Sequence, residues 1–217
     1  VQIVLAASSL LERYGDLRKI LLKDNFKVDR EAFLVVEGEN PLTMSKSTGL
    51  AIIELSSVFN DLKPDVVITV GDRYETIATA IAASYMNIIL AHIQGGEITG
   101  SIDESVRHAV TKLSHIHFTS TKNAKKNVIA MGEDSRFVFN VGCPSFDLLN
   151  KPINQNVVKK FLKGVGANID LNKKFLLVLF HPVTTEYGQS FRQTENITSA
   201  IESLNMQTIW LWPNIDA

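Results

Sequence analysis

Short runs of β-branched and other apolar residues alternate with longer helical patterns along this chain of 217 residues. The strand patterns lie at residues 2–6, 32–36, 66–70, 88–92, 116–119 and 137–140. The helical patterns lie at residues 41–62, 74–86, 103–114 and 121–131. Strands that alternate with helices pair in parallel, and helices cover both faces of the sheet. The alternation therefore predicts an α/β fold, with a Rossmann-like parallel sheet and helices on both of its faces.

The pattern changes after Pro144, where the alternation gives way to a polar stretch at residues 151–174. A new strand, helix and strand then follow at residues 175–180, 191–204 and 207–212. We expect a first domain at residues 1–150, a linker near residues 151–155 and the beginning of a second Rossmann-like, nucleotide-binding domain within residues 151–217. Because strand patterns lie at both ends, we expect the chain to be a piece of a larger protein.

Composition narrows the classes of function. The formal net charge is −1, whereas a nucleic-acid-binding surface normally shows a basic excess, so we expect no nucleic-acid partner. The most apolar long stretch, residues 77–93, is interrupted by Thr79, Ser84 and Asn87, and indicates a buried helix and strand instead of a membrane span. Cys143 is the single cysteine, which fits a reducing, cytoplasmic compartment and a structural role for this side chain.

Polar residues follow three of the predicted strands at the point where each strand ends. Gly-Asp-Arg lies at residues 71–73, His-Ile-Gln-Gly-Gly-Glu at 92–97 and His-Pro-Val-Thr-Thr-Glu at 181–186. In open α/β sheets, ligands bind outside the carboxyl ends of the strands. These three segments are therefore the candidate site.

Asp72 and Arg73 each have a structural and a functional interpretation. The Asp72 carboxylate can act as a base or bind sugar hydroxyls, but Asp also caps helices such as the one predicted to follow. The planar guanidinium of Arg73 can hold a diphosphate, or it can form a surface ion pair with Glu75 or Asp72. The position at a strand end favours function for both.

The start of the helix at 103–114 contains a second group of charged residues. Ser101 and Glu104 match a capping box, in which the serine caps the helix and the glutamate reaches back. That motif does not require Asp103 or Arg107, which lie four residues apart on one helix face. Asp103 near the positive helix end stays ionised and able to accept a proton, and an ion pair with Arg107 is the structural alternative.

Known phosphate motifs are absent from the sequence. Gly95 and Gly96 let the backbone approach a ligand closely, but neither a P-loop nor a G-x-G-x-x-G fingerprint is present. His92 ends a strand, and taken alone that position favours a structural role over a catalytic one. His108, His115 and His117 are spaced across a helix end and a strand, and no pair of them has the glutamate partner of a zinc-binding helix, so we expect no metal.

Six ordered blocks extend this pattern over most of the chain. They are Gly-Asp-Arg at 71–73, His-Ile-Gln-Gly-Gly-Glu-Ile-Thr-Gly at 92–100, Ile-Asp-Glu-Ser-Val-Arg-His-Ala-Val-Thr-Lys-Leu at 102–113, Gly-Cys-Pro-Ser at 142–145, His-Pro-Val-Thr-Thr at 181–185 and Trp-Pro-Asn-Ile-Asp-Ala at 212–217. Together they closely resemble the hydrolysing UDP-N-acetylglucosamine 2-epimerases, of the type that supplies precursors of sialic-acid-like sugars.

The resemblance implies a fold and a reaction. Members of this family have two Rossmann-like domains in a glycosyltransferase-B-like arrangement, with the substrate between them. The chain would then begin after the family's first strand and helix and end early in the second domain, and alone it would be essentially inactive. The implied reaction converts UDP-N-acetylglucosamine to UDP and N-acetylmannosamine through a 2-acetamidoglucal, without metal or other cofactor.

The resemblance also implies roles for individual residues. Catalytic roles fall on Asp72, Asp103 and Arg107, and we add Glu97 as the acid that can compensate for Gln94. Substrate-binding roles fall on Arg73, His92, Gln94, His181 and Asn214. The implied partner is a UDP-sugar, and the intact enzyme is expected to be a homo-oligomer that binds neither nucleic acid nor membrane.

Two positions depart from the family pattern. Gln94 stands where many members have a catalytic glutamate, and Ser9 stands where many have histidine. Because Gln cannot take a proton as Glu can, either Glu97 or Asp103 compensates, or the substrate or a step differs. The alternatives that stay open are a non-hydrolysing 2-epimerase, a retaining glycosyltransferase of the same architecture and a UDP-sugar-binding fragment without activity.

Overall fold

The computed structural model describes residues 1–12, 15, 17–38, 40–150, 152, 164–166, 168–181, 186 and 188–211. The chain divides into two compact units, Val1–Cys143 and Pro144–Ala217. The division precedes the predicted boundary at residue 150, and the assignment of two Rossmann-like domains stays a prediction. Most of the predicted linker at 151–155 lies outside the described residues.

The first unit begins with a strand, a helix and a second strand. Strand β1 (Val4–Ala6) pairs in parallel with β2 (Arg30–Ala32), with Val4 opposite Arg30 and Ala6 opposite Ala32. Helix α1 (Leu17–Lys23) lies between them in sequence. This short parallel pair starts the unit.

Four further strands of the first unit form one parallel sheet in sequence order. They are β3 (Val66–Val70), β4 (Ile89–Ile93), β5 (Ile116–Thr119) and β6 (Val138–Asn140). The connecting helices are α3 (Tyr74–Tyr85), α4 (Ile102–Leu113) and α5 (Lys122–Ala130). Right-handed crossovers in a sheet that grows in one direction place these three helices on the same face. Because the four strands are parallel, the loops that follow them all lie at one edge of the sheet.

Helix α2 (Pro41–Leu62) connects the two sheets and packs against α3. Asn40 caps it by accepting a hydrogen bond from the Thr43 amide at 3.0 Å, and Lys63 ends it in a left-handed conformation before Pro64. The hydrophobic core joins residues of both sheets and helices, including Leu34, Leu55, Val67, Ala78, Leu90 and Val110. In the part of the chain that the structure describes, no helix is long and apolar enough to cross a membrane.

The second unit contains a parallel pair of strands and a helix. Strand β7 (Phe175–Leu179) pairs with β8 (Gln207–Leu211), and helix α6 (Ser190–Leu204) lies between them in sequence. The predicted strand, helix and strand are thus present within one or two residues of the expected bounds. The last predicted strand residue, at position 212, lies outside the described residues.

The α/β fold class with parallel strands is confirmed, but at the start of the chain one predicted strand was misplaced and one helix was missed. The second strand was predicted at residues 32–36 and instead ends at Ala32, because β1 offers only three residues for pairing. Beyond it the chain turns to α2, where the Val36 amide donates to Ser47 Oγ at 2.8 Å. Helix α1 was not predicted, although Leu17 and Ile20 are spaced as on one helix face.

The loop after β4 packs closely on helix α5. Asn127 of α5 donates to the carbonyl of Gly96 at 2.8 Å. A Cβ on Gly96 would lie 2.3 Å from the Ala124 carbonyl oxygen and 2.7 Å from a Val128 methyl group, and its φ is +82°. Gly100, at φ +73°, has open space around its Cα. Gly96 is therefore required by a close backbone approach as well as by conformation.

We expect Gly96→Ala to lower the free energy of unfolding much more than Gly100→Ala. Both substitutions place a Cβ in the left-handed region, at a cost of about 1–2 kcal/mol. Only Gly96→Ala adds a clash with the backbone of α5, worth about another 1–3 kcal/mol. Urea unfolding followed by circular dichroism measures both, and equal losses would contradict the packing described above.

Candidate active site

The carboxyl ends of β3 and β4 lie side by side and carry the residues predicted for the site. Thr69 is opposite His92 and Val70 is opposite Ile93 in the parallel register. The Gly71 amide extends the pairing by donating to the Ile93 carbonyl at 3.0 Å, and Gly71 then turns at φ +78°. This turn presents Asp72 next to the loop after β4.

Arg107 joins both strand ends to helix α4. It is only 3% exposed, and its Nη2 donates to the Asp72 carboxylate in a salt bridge. Its Nη1 donates to the Glu97 carbonyl at 2.5 Å and to Thr99 Oγ1 at 3.4 Å. One planar guanidinium therefore holds the β3 end, the β4 loop and α4 together.

The position of Arg107 on α4 explains why a charge is buried there. Arg107, Val110 and Thr111 are the buried residues of this helix, with the three- and four-residue spacing of one helical face. That face packs against the sheet, so Arg107 enters the interior with the apolar residues. A buried guanidinium is tolerated only when it is paired and hydrogen-bonded, and Asp72 and the loop supply those partners.

The first turn of α4 differs from the predicted capping box. Ser101 Oγ accepts from the Asp103 amide at 3.3 Å and donates to the Asp103 carboxylate at 3.0 Å. Glu104 does not reach back to Ser101. Its carboxylate accepts from the amides of Thr99 and Gly100 at 2.7 and 2.6 Å, which lowers the pKa of Glu104. The left-handed turn at Gly100 brings these amides over the start of the helix.

His92 lies behind the site, with no exposed surface. Its Nε2 is 2.8 Å from the Gly71 carbonyl oxygen and its Nδ1 is 3.2 Å from Thr111 Oγ1. Burial lowers the pKa of His92 from 6.5 to about 4, against the raising effect of the hydrogen bond with Gly71. The structure thus gives His92 internal contacts with Gly71 and Thr111, and its substrate-binding role stays a prediction.

Gln94 adopts an unusual backbone conformation at the start of the β4 loop. Its φ is +67°, its amide donates to the Phe118 carbonyl at 2.8 Å, and its Nε2 donates to Cys143 Sγ at 3.3 Å. Non-glycine residues in the left-handed region are uncommon and often lie at functional sites. Cys143, predicted to be structural, is half-buried and contacts this side chain.

Arg73 and Asp72, adjacent in sequence, make different contacts. Arg73 Nε forms an ion pair with Glu75 at 2.9 Å, and its guanidinium lies 5.9 Å from the Tyr74 ring centroid. Arg73 also occupies the N-cap position of α3, so the capping alternative for Asp72 is wrong. The ion-pair alternative for Arg107 and Asp103 is replaced by the pair with Asp72.

Two predicted substrate-binding residues belong to the second unit. His181 is exposed and follows β7. Asn214 lies outside the described residues. In the first unit the structure brings together Asp72, Arg107 and the backbone of Glu97, with Asp103 one helical turn before Arg107. Gln94, earlier in the same loop, contacts Cys143 instead.

Sequence reasoning missed Thr99 and Thr111. Thr99 contacts Arg107 and Thr111 contacts His92, and both of these partners are predicted site residues. Thr111 lies four residues after Arg107 in the same helix, which places both on the inner face. The four-residue spacing from Arg107 was the sequence feature that could have identified Thr111.

Comparison with known proteins agrees with the sequence resemblance. The profile of the family described as UDP-N-acetylglucosamine 2-epimerase matches residues 1–217. A UDP-N,N'-diacetylbacillosamine 2-epimerase (hydrolyzing) from Legionella pneumophila is 36% identical over 94% of this chain and 53% of its own length. A GDP/UDP-N,N'-diacetylbacillosamine 2-epimerase (hydrolyzing) from Campylobacter jejuni is 31% identical over 100% of this chain and 56% of its own.

A solved structure supports the fold. The UDP-GlcNAc 2-epimerase of Methanocaldococcus jannaschii, in complex with UDP-GlcNAc and UDP, has a TM-score of 0.76 at 20% identity, covering 98% of this chain and 65% of that one. The fold and the cluster at the strand ends define an α/β protein with polar residues gathered at the carboxyl ends of a parallel sheet. The chain belongs to the UDP-N-acetylglucosamine 2-epimerase family. It spans about half the length of the curated relatives it matches.

We expect the folded chain to lose stability as the pH falls below about 6.5. The unfolded chain binds the His92 proton near pH 6.5, whereas the folded chain binds it only near pH 4. The unfolded state therefore holds more protons in this window, and stability rises with pH. His117, whose pKa burial also lowers, acts in the same direction.

The His92 contribution alone amounts to about 2 kcal/mol lost between pH 7 and pH 5. Urea unfolding at both pH values measures the loss. His92→Gln, which cannot titrate, should be less stable at pH 7 but lose less on acidification. An unchanged pH dependence in that variant would contradict the assignment to His92.

Proposed function

We propose that this chain contains the proton-transfer half of a hydrolysing 2-epimerase of UDP-linked 2-acetamido sugars. The observation that carries the proposal is the arrangement around Arg107. This buried cation fixes Asp72 and the backbone of Glu97 at adjacent strand ends, with Asp103 one helical turn away on α4. Family membership and the two hydrolysing relatives support the reaction.

The proposed reaction needs carboxylates placed near a sugar carbon. One carboxylate removes the proton at C2, the bond between C1 and the UDP oxygen breaks, and a double bond forms between C1 and C2. This gives a 2-acetamidoglucal and UDP. Water then adds across the double bond, with its oxygen at C1 and a proton delivered to the opposite face of C2. The C2 proton is poorly acidic, so positioned acid–base groups are essential.

The contacts of the three carboxylates support a different role for each. Asp72 is fixed by the salt bridge with Arg107, which suits a group that orients the sugar or accepts a proton at one defined place. Arg107 holds the main-chain carbonyl of Glu97, which leaves the half-buried Glu97 carboxylate for proton transfer. Asp103 at the positive end of α4 is the third acid.

Gln94 takes a binding role in this proposal. Its amide is both donor and acceptor without charge, so it can bind a sugar hydroxyl or acetamido group but cannot transfer the C2 proton. The contact with Cys143 holds the side chain while the strained backbone fixes its direction. Glu97, three residues on, replaces the acid that many family members carry at position 94.

Departure of UDP requires cations and amide donors near the diphosphate. We assign contacts with the nucleotide to Arg73, His181 and Asn214 from the family resemblance. A homo-oligomer and a cytoplasmic location, which fits the single cysteine, complete the proposal.

The substrate class follows from the relatives. The two hydrolysing relatives act, by their names, on N,N'-diacetylbacillosamine linked to UDP in the Legionella protein and to GDP or UDP in the Campylobacter protein. We therefore propose a UDP-linked 2,4-diacetamido sugar as well as UDP-N-acetylglucosamine. The product would be N-acetylmannosamine or its 4-acetamido counterpart, the kind of sugar from which sialic-acid-like sugars are made.

We expect the protein at its natural length to release UDP and a free 2-epimerised sugar. ¹H NMR spectra recorded during the reaction detect both products. In D₂O the free sugar should contain one deuterium at C2. UDP-sugar epimers without release of UDP would indicate a non-hydrolysing enzyme. Consumption only with an acceptor sugar would indicate a glycosyltransferase, and binding without turnover a UDP-sugar-binding protein.

Two variants test the roles of the loop in the same assay. Glu97→Gln should lower kcat by on the order of 10²–10⁴ with binding largely kept, the usual range for an acid–base group. Gln94→Ala should weaken binding, by about 1–3 kcal/mol for the partner left unpaired. The reverse pattern, with Gln94→Ala losing kcat and Glu97→Gln losing only affinity, would exchange the two roles.

A further inference from the structure

Two buried polar side chains lie directly behind the site, and one of them has no assigned role. His92 on β4 and Thr111 on α4 are both 0% exposed. They contact each other through Nδ1 and Oγ1 at 3.2 Å, and the other ring nitrogen of His92 lies 2.8 Å from the Gly71 carbonyl oxygen. A continuous chain of contacts thus runs from α4 to the residue before Asp72.

The chemistry of the partners fixes the direction of each hydrogen bond. A carbonyl oxygen only accepts, so His92 Nε2 must carry the proton and donate it to Gly71. In the neutral ring, Nδ1 is then an acceptor, and the Thr111 hydroxyl must donate to it. The Gly71 carbonyl therefore fixes the tautomer of His92, and Thr111 fixes the orientation of the ring by donating to Nδ1. The lowered pKa of His92 agrees with a neutral ring.

Both backbone polar groups of the residue Gly71 are hydrogen-bonded. Its amide donates to Ile93 and its carbonyl oxygen accepts from His92. Gly71 lies in the left-handed region, where it has more freedom than other residues, so these two bonds decide the direction in which the chain leaves β3. The next residue is Asp72, which meets Arg107.

The loop after β4 covers this pair of side chains. A Cβ on Gly95 would lie 2.9 Å from both His92 Nδ1 and Thr111 Oγ1. Gly95 therefore packs directly over the hydrogen bond between them. In such a covered place a lost hydrogen bond is not readily replaced by bulk water.

We propose that Thr111 is a positioning residue of the site, which acts through the orientation of the His92 ring and the Gly71 carbonyl to orient the Asp72 carboxylate. The effect on catalysis rests on the proposed 2-epimerase function, whereas the effect on the His92 ring does not. Because Thr111 reaches Asp72 only through His92 and Gly71, its loss affects the placement of Asp72 and so kcat more than KM.

The test compares three substitutions. Thr111→Val removes the hydroxyl and keeps the shape, and Thr111→Ser keeps the hydroxyl. Thr119→Val is the control, because Thr119 is equally buried in the same unit but its hydroxyl bonds to the carbonyls of Thr121 and Phe139. Urea unfolding gives the stability of each variant.

The first readout is the ¹⁵N NMR spectrum of the His92 ring in this chain, with His92→Gln used for assignment. We expect a single tautomer with the proton on Nε2 in the unsubstituted protein, Thr111→Ser and Thr119→Val. Thr111→Val should keep this tautomer but shift the Nδ1 resonance, because Nδ1 has lost its hydrogen-bond donor, and an Nδ1 resonance that does not move would overturn the proposal. A proton on Nδ1 in the unsubstituted protein would overturn the proposal, even if Thr111→Val does not fold.

The second readout is turnover of the sugar nucleotide by the protein at its natural length. Thr111→Val should lower kcat by on the order of tenfold to a hundredfold, as small misplacements of catalytic groups do, with KM within about twofold. Thr111→Ser should restore most of kcat. Equal losses of kcat in Thr111→Val and Thr119→Val would show a general effect of stability and overturn the positioning role. Absence of turnover in the unsubstituted protein would instead refute the 2-epimerase function, while the tautomer measurement would still test the contact.

Discussion

The salt bridge between Arg107 and Asp72 is the contact on which the rest of the site depends. A guanidinium that is 3% exposed has lost most of its hydration, and that loss is offset only by partners in good geometry. Asp72 provides the opposite charge, and the Glu97 carbonyl and Thr99 hydroxyl accept from the other nitrogen. Because the partners come from β3 and from the loop after β4, the burial of one side chain brings together segments that are distant in sequence.

The loop after β4 is held in place along its whole length. Gly95 lies over His92 and Thr111, Gly96 touches the backbone of α5, and the amides of Thr99 and Gly100 bind Glu104. Each contact uses a glycine or a backbone group, so the shape of the loop is fixed without using the carboxylate of Glu97. A loop that is preorganised in this way can present an acid to a substrate at little further ordering cost.

The sequence predicted the strands and helices because apolar, β-branched runs and helical spacing are local signals. It misplaced the second strand because pairing with β1, a contact distant in sequence, decides where β2 ends. In the site, the motifs identified Asp72 and Arg107, yet local spacing suggested Asp103 as the partner of Arg107. Only the fold shows the true partner, which lies 35 residues away along the chain. The role of Thr111 was likewise hidden, because on a helix it looks like any other inward-facing residue.

The central claim is that a buried ion pair organises the site, and a double-mutant cycle tests it most directly. Asp72→Asn, Arg107→Met and the double variant give the coupling energy from urea unfolding. The matched control is the exposed pair of Asp134 and Arg136, with the same residue types in the same unit. We predict a coupling of about 2 kcal/mol for the buried pair and a much smaller one for the exposed pair. Equal couplings, or none at Asp72 and Arg107, would contradict this account of the site.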